Sequence, residues 1–371
     1  MRQGLIARAD AQSGTVTAVI PTYRRPQLLR RAVLSVLSQT HRDVRVRVYD
    51  NASGDETARV VGELAAADGR VSCHVHDHNI GATRNFQFAM RDVRTPYFSC
   101  LSDDDVLFPD FYATALASFD GAPAAMMSIC STLEFTKAGE FLYAPLALWP
   151  REGRFDPPAG AFAMIDNRHA TWTGIVFRRE VLDEVGTIDA DVGPPADLDF
   201  ELRVAARFPF VVSFAPAAGY LNHGASVSAT EDASVIAGYR RMASNLASDD
   251  RLPANFRVRI ERLLERQMRR KLVEIVVKAL CRDRDVVAGH AAQMLAREFG
   301  GTAEARAAVA AYRACTVSKT ARSLLRGLER TRLWLRARRC ARGTRRGSGR
   351  DPAEFARFVS VDAPVSGPDA T

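Results

Sequence analysis

Within the first 105 residues, short runs rich in β-branched side chains alternate with stretches of helical periodicity, and each run stops at polar residues. Residues 15–20 (Thr-Val-Thr-Ala-Val-Ile) make the first run, closed by Pro21, and Pro26 suits the first turn of a helix. Leu29, Ala32, Val33, Val36 and Leu37 then recur on one helical face. Val44, Val46 and Val48 alternate with Arg45 and Arg47, which predicts a second strand ending at Asp50. A helix over 57–66, a strand over 71–75, a helix over 82–90 and a strand over 97–101 follow in the same rhythm. Strands separated by single helices must pair in parallel through crossovers, so the pattern predicts an α/β domain with a mostly parallel sheet flanked by helices. In such sheets ligands bind beyond the carboxyl ends of the strands. Thr22 and Tyr23, Asp50 and Asn51, Asn79, and Asp103 to Asp105 all fall there.

The later chain reads differently. A strand is expected over 125–135, further strands over 172–178 and 210–214, and a helix over 197–206. Residues 141–170, with Pro145, Pro150, Pro157 and Pro158, read as a long surface excursion of the kind that carries substrate specificity. Beyond about residue 231 the pattern is helical, and residues 351–371 read as a disordered tail. The expected organisation is an arm over 1–14, the α/β domain over 15–230, a helical extension over 231–318, a basic amphipathic segment over 319–350, and the tail.

Charge singles out the basic segment. From Lys319 to Arg350 there are 12 Lys/Arg and one acid, Glu329, so that of the net +8 this segment holds +11 and the remainder is −3. Ala321, Leu324, Leu325, Leu328 and Leu335 fall near one face of this expected helix, with Trp334 close by. A basic helix with an apolar face suits an anionic membrane surface, while a solvated basic face is the plainer alternative. No nucleic-acid recognition motif accompanies the charge, so nucleic acid is not expected as a partner. No run reaches the length of a membrane span, and residues 1–14 contain no apolar core of a signal peptide. The expected location is cytoplasmic, and peripheral at the inner membrane face if the basic helix docks there. The six cysteines show no CxxC spacing, and Cys73, Cys100 and Cys130 read as small core residues.

Three adjacent carboxylates, Asp103, Asp104 and Asp105, raise one another's pKa unless a cation compensates. An all-oxygen cluster suits Mg²⁺ or Mn²⁺ bound together with phosphates, whereas a solvated turn capping the next helix would need no ligand. Asp50 can accept from a base or ribose hydroxyl, and Asp55 reads as the cap of the following helix.

The stretch from Val19-Ile-Pro-Thr-Tyr-Arg-Arg-Pro through Tyr49-Asp-Asn-Ala-Ser-Gly-Asp-Glu-Thr57, with Leu101-Ser-Asp-Asp-Asp-Val-Leu-Phe-Pro109, resembles family 2 inverting glycosyltransferases of the GT-A fold. The resemblance covers roughly residues 15–228. It implies a nucleotide-sugar donor (UDP-, GDP- or dTDP-linked), a glycan or lipid-linked acceptor, and a divalent metal, Mn²⁺ or Mg²⁺. It also implies roles. Pro21, Thr22 and Tyr23 line the nucleotide pocket, Asp50 contacts the base, and Arg84 lies in the segment facing the nucleotide. Asp103 approaches the ribose, Asp104 binds the metal and Asp105 supports it. Trp172 and Gly174 belong to the acceptor-side segment that meets the sugars, and His223 can touch metal or diphosphate. Asp197 aligns with the catalytic base and is preferred over Asp199. Two departures stand out: Ser102 occupies a position usually held by Asp, and Ala196 one usually held by Glu. A sugar nucleotidyltransferase is a rival α/β reading, but it should carry a Gly-rich loop where Pro21-Thr-Tyr-Arg24 stands. An inactive nucleotide-sugar-binding module on the same fold is the other.

Overall fold

The computed structural model describes residues 14–166, 170–222 and 234–360. Its first half alternates β1 (Val16–Thr22), α1 (Pro26–Leu37), β2 (Val44–Asp50), α2 (Thr57–Ala67), β3 (Val71–Val75), α3 (Ala82–Arg91) and β4 (Tyr97–Cys100). There follow β5 (Val106–Leu107), α4 (Phe111–Asp120), β6 (Met127–Thr136), β7 (Phe141–Tyr143), β8 (Gly153–Phe155) and α5 (Ala159–Asp166). A single 3-10 turn, Trp172–Gly174, leads into β9 (Ile175–Arg178), α6 (Glu180–Val185), α7 (Ala196–Arg207) and β10 (Phe210–Asn222). The described strands form one sheet in the order β3-β2-β1-β4-β9-β6-β10-β5, with β7 on β6 and β8 on β10. β3, β2, β1 and β4 pair in parallel, as do β6 and β10, while β9 runs antiparallel between β4 and β6. This is the mixed, mostly parallel sheet with flanking helices that the sequence rhythm predicts.

β1 is buried on both faces, which is why it reads as a continuous apolar run. Its residues divide between two packed layers. Val16, Ala18 and Ile20 meet Leu29, Val33 and Val36 of α1 and Val60 of α2. Val19 joins the opposite layer, with Phe98, Phe177, Phe200 and Trp172. Each fully buried Val, Leu or Phe contributes about 1.5–3 kcal/mol, so the central strands hold the site on a stiff platform. β3 is the edge strand, and its pattern opens outward. Cys73 there is exposed, unlike the buried Cys100 and Cys130, which corrects the expectation of a core residue.

Two further expectations change. Residues 141–170 are not a loose excursion: β7, β8 and α5 lie there, and Tyr143, Leu146, Trp149, Phe155, Met164 and Ile165 are buried. The prolines break the segment into pieces too short to show periodicity, yet its aromatic residues face inward.

The C-terminal region is helical: α8 (Ser234–Ala247), α9 (Ala254–Cys281), α10 (Asp285–Phe299), α11 (Ala303–Val317) and α12 (Lys319–Ser348). Leu272, Ile275 and Val276 of α9 pack with Ala288, Leu295 and Ala308 in a separate cluster. After α12 the chain is folded over residues 351–360, where a disordered tail is expected, and the rest of that expected tail, 361–371, lies outside the described residues. A 3-10 turn, Pro352–Phe355, is capped by Asp351 and Glu354 and runs into α13 (Ala356–Val359). Phe355 and Val359 are buried with Val106, Phe108 and Leu221. Arg31 of α1 donates to the Val359 carbonyl at 2.7 Å. Gly219 of β10 admits this strap, because a Cβ there would stand 2.3 Å from Val359 Cγ2.

Candidate active site

The parallel strands deliver their carboxyl ends side by side. Thr22 of β1 is in register with Asp50 of β2, and Val19 with Cys100 of β4. Asp50, Thr22 and the loop after β4 therefore form a row across three strand ends. Thr22 donates its hydroxyl to Asp103 Oδ2 at 2.7 Å, so β1 and the acidic loop are tied together. Asp50 Oδ1 accepts from the Ser53 backbone N–H at 3.0 Å and from the Ser53 hydroxyl. Ser53 in turn accepts from the Arg24 backbone N–H at 2.9 Å, locking the first two loops together. Asn51 reaches the third loop, donating to Asn79 Oδ1 and accepting from the Ile80 N–H. Asp55 caps α2 through Thr57, as the sequence suggests.

The three acidic residues have different surroundings. Asp103 and Asp104 share one partner: Arg25 Nη1 lies 3.1 Å from Asp103 Oδ1 and 2.8 Å from Asp104 Oδ2. Burial, and then the neighbouring Asp104, push the Asp103 carboxyl up to about 6. Asp105 is engaged on both oxygens, by the Thr173 hydroxyl and by the Leu221 N–H at 3.1 Å. Burial and then Asp104 hold it well above the usual carboxylate range. It joins the acidic loop to β10 and to the turn before β9, which makes it a brace and not an open ligand.

Pro21 is buried at the strand end, while Tyr23 is partly exposed with the Arg24 guanidinium 5.1 Å from its ring centre. Arg84 lies in the first turn of α3, exposed, 4.0 Å from Asp191. Trp172 and Gly174 do not stand open to a sugar. Trp172 is buried, with ring centres of Phe86, Phe177 and Phe200 at 6.1, 5.8 and 5.9 Å. A Cβ on Gly174 would meet Thr132 Oγ1 at 2.5 Å and the Cys130 carbonyl at 2.6 Å. Both residues pack the turn whose middle member, Thr173, holds Asp105. His223 lies outside the described residues.

Asp197 is the second residue of α7, with Oδ1 accepting from the Leu198 N–H at 2.7 Å. A carboxylate in the first turn is favoured by the helix dipole. Asp199 is spent on structure: fully buried, it accepts from Arg203 Nε at 2.8 Å and from Asn245 at 3.0 Å. Phe200 packs on Trp172, so α7 and the brace at Asp105 rest on one aromatic cluster.

One group escaped sequence reasoning. Glu201, one turn after Asp197, is fully buried, and neither carboxyl oxygen has a hydrogen-bond partner among the described residues. Burial, and then Asp197, push its pKa well above the usual range. In the sequence it is one of three charged residues alternating with Leu198, Phe200, Leu202 and Val204, with nothing to mark it as the buried one.

Among the described residues no group of three or more His, Cys, Asp or Glu forms a closed metal site. Two buried carboxylates that already share one cation are instead the donor set Mg²⁺ or Mn²⁺ accepts when phosphates complete the shell.

A mostly parallel sheet with such a row of polar strand ends defines a nucleotide-sugar transferase fold of the GT-A type. Residues 17–186 match the glycosyl transferase family 2 model. An uncharacterized glycosyltransferase of Rickettsia prowazekii is 31% identical over 103 residues, 28% of this chain and 31% of its own length. The match thus spans about a third of that relative. In fold, S. aureus TarS 1-349 in complex with UDP-GlcNAc aligns with a TM-score of 0.57 at 12% identity, over 85% of this chain and 92% of that one. The mannosyltransferase PcManGT from Pyrobaculum calidifontis, in complex with GDP-Man and Mn²⁺, aligns with a TM-score of 0.51 at 16% identity, over 89% and 86% of the two chains.

Proposed function

We propose that this glycosyltransferase moves a sugar from a nucleoside-diphosphate donor to an acceptor hydroxyl with inversion, in the synthesis of a surface glycan or glycolipid. The observation that carries the reading is the pairing of Asp103 and Asp104 at the strand ends with a separate carboxylate, Asp197, on a helix N-terminus. The first pair serves the leaving group and the second the acceptor.

Asp104, with Asp103 beside it, would hold the divalent ion, and His223 is a further candidate. Bound there, the ion would supply Lewis-acid stabilisation of the charge that develops on the diphosphate. Thr22 and Arg25 keep the two carboxylates in place. Asp50 and Tyr23 receive the nucleoside, Asp50 by accepting hydrogen bonds and Tyr23 by offering an exposed ring. Arg84 offers an exposed cation 4.0 Å from Asp191. Asp197 takes the proton from the acceptor hydroxyl as its oxygen attacks the anomeric carbon. The bond to the diphosphate breaks in the same displacement, so no carboxylate nucleophile is needed.

A panel of UDP-, GDP- and dTDP-sugars, assayed for Mn²⁺-dependent nucleotide release, tests this directly. Asp197→Asn should lower turnover by at least about 10²-fold while leaving metal-dependent nucleotide binding near wild type. Near-normal turnover would remove Asp197 from the base role. Asp104→Asn should abolish metal-dependent nucleotide binding itself, and an unchanged Mn²⁺ requirement would count against it. An inactive binding module would bind a nucleotide sugar and release nothing.

The acceptor is read as membrane-borne, with α12 lying on the anionic surface. Supporting this, Leu324, Leu328 and Leu335 of α12 are 65%, 70% and 55% exposed, among a dense array of arginines. No helix among the described residues is long and apolar enough to cross a membrane.

A further inference from the structure

Arg25 stands where its charge is disfavoured by its own helix. It is the residue at the N-cap of α1, where the helix dipole repels a cation, and its side chain makes no capping bond. The turn that places it is tightly specified. Arg24 adopts a left-handed φ of 55° and is fixed to Ser53 through its backbone N–H and its Nε. Pro26 begins the helix immediately after. Of two consecutive arginines, one is thus pinned to the base-side loop and the other is turned onto the acidic loop. There Nη1 bridges Asp103 and Asp104, whose side chains are only 8% and 10% exposed.

We propose that Arg25 is the resident cation of the site. It holds Asp103 and Asp104 ready before a divalent ion arrives, gives up Asp104 when the ion binds, and is thereby released onto the donor's diphosphate. The inference rests on the reading of Asp104 as a metal ligand. The physical reason is competition for one oxygen. Mg²⁺ coordinated to Asp104 Oδ2 would sit about 2.0–2.1 Å from it, and Arg25 Nη1 is 2.8 Å from the same atom. Two cations that close repel, so one must withdraw. A guanidinium on a flexible stem can withdraw and still reach a neighbouring anion, and its planar fork matches phosphate oxygens. Linkage then makes the effect reciprocal: diphosphate that draws Arg25 away tightens metal binding, and metal that frees Arg25 tightens diphosphate binding. Before ligands arrive, the same contact stops two buried carboxylates from repelling each other and collapsing the loop.

The signature is a pair of effects with opposite sign. In Arg25→Gln, Mn²⁺ alone should bind roughly tenfold more tightly than in wild type, because its competitor is gone. With Mg²⁺ saturating, inorganic pyrophosphate should bind roughly tenfold more weakly. Electron paramagnetic resonance of free Mn²⁺ and calorimetry give the two constants. A damaged fold would weaken both, and Mn²⁺ binding that is unchanged or weaker in Arg25→Gln overturns the proposal. If that variant does not fold, wild-type protein with ¹⁵N-labelled arginine answers the same question. Mg²⁺ should shift the Arg25 guanidinium resonance, and no shift at saturation overturns the inference. Asp104→Asn separates the two levels: if it binds Mn²⁺ as wild type does, the metal reading itself fails. If it loses Mn²⁺ while Arg25→Gln behaves like wild type, only the role of Arg25 fails.

Discussion

Among the described residues Glu201 finds no hydrogen-bond partner with which to share a charge. Burial of both oxygens, and then the nearby Asp197, favour the protonated form of its carboxyl in the folded chain. In the unfolded chain it ionises at the ordinary value, about 4.3. The sign follows. The folded-state pKa is raised, so the unfolded state loses the proton first, and stability falls as pH climbs from the unfolded value toward the folded one. Glu201→Gln removes this dependence. At pH 7.5 it should be more stable than wild type, because only the wild-type unfolded chain gains stability by ionising at this position, and the gap should close near pH 4. Urea unfolding at the two pH values checks it, and an equal gap at both would show that ionisation is not involved. The residues that border this one show what a sequence discloses. Asp50, Asp103 and Asp104 were legible because strand ends fix where a side chain points. Glu201, Trp172 and Gly174 were not, because whether a side chain faces a ligand or a core depends on helices packed from far along the chain. Arg25 was not singled out in the sequence, because its bridge to residues some eighty positions away depends on the fold.

At the level of elements, the strap formed by Pro352–Phe355 and α13 supports the site from below. Phe355 stacks near Phe108, with ring centres 4.6 Å apart, and Val359 packs beside Gly219. Phe108 follows β5 and Gly219 belongs to β10, the two strands flanking the brace at Asp105. Phe355→Ala should cost about 3–5 kcal/mol of stability, as for other large core truncations. Since the strap touches β5 and β10, hydrogen exchange should rise there as well as in the strap. Exchange rising in the strap alone would show that it is only an appendage. The Pro-, Asp- and Ser-bearing composition of this segment reads as disorder because ten residues cannot display periodicity. Its order comes from two buried anchors and a capping box. β7 and β8 were missed for the same reason, each being three residues long, whereas β1, β2 and the helices between them were plain.

For the whole molecule, the segregation of charge was visible at once, but the side of α12 that faces the protein was not. Gly343 and Gly347 let the helix settle onto Ala147 and Phe214, where a Cβ would meet atoms at 2.6 Å. Ala321 and Leu325 turn toward the helical cluster, leaving Leu324, Leu328, Leu335 and the half-exposed Trp334 outward. Vesicles of phosphatidylglycerol should therefore sediment the protein and neutral phosphatidylcholine vesicles should not. Leu324→Glu combined with Leu328→Glu should reduce binding at least tenfold, since each change removes an apolar contact and adds repulsion. Binding to RNA at the same salt with no vesicle binding would reverse the assignment. The brace at Asp105 also dictates an order of events during synthesis. Its partners Thr173 and Leu221 lie 68 and 116 residues downstream, and the carbonyl that Arg31 grips lies 328 residues further along the chain. A ribosome that has finished the acidic loop has made a cluster of carboxylates with no brace and no floor. Such distant contacts close late, so the acidic loop stays unbraced until Leu221 has emerged, and the strap beneath it is not gripped until Val359 has followed.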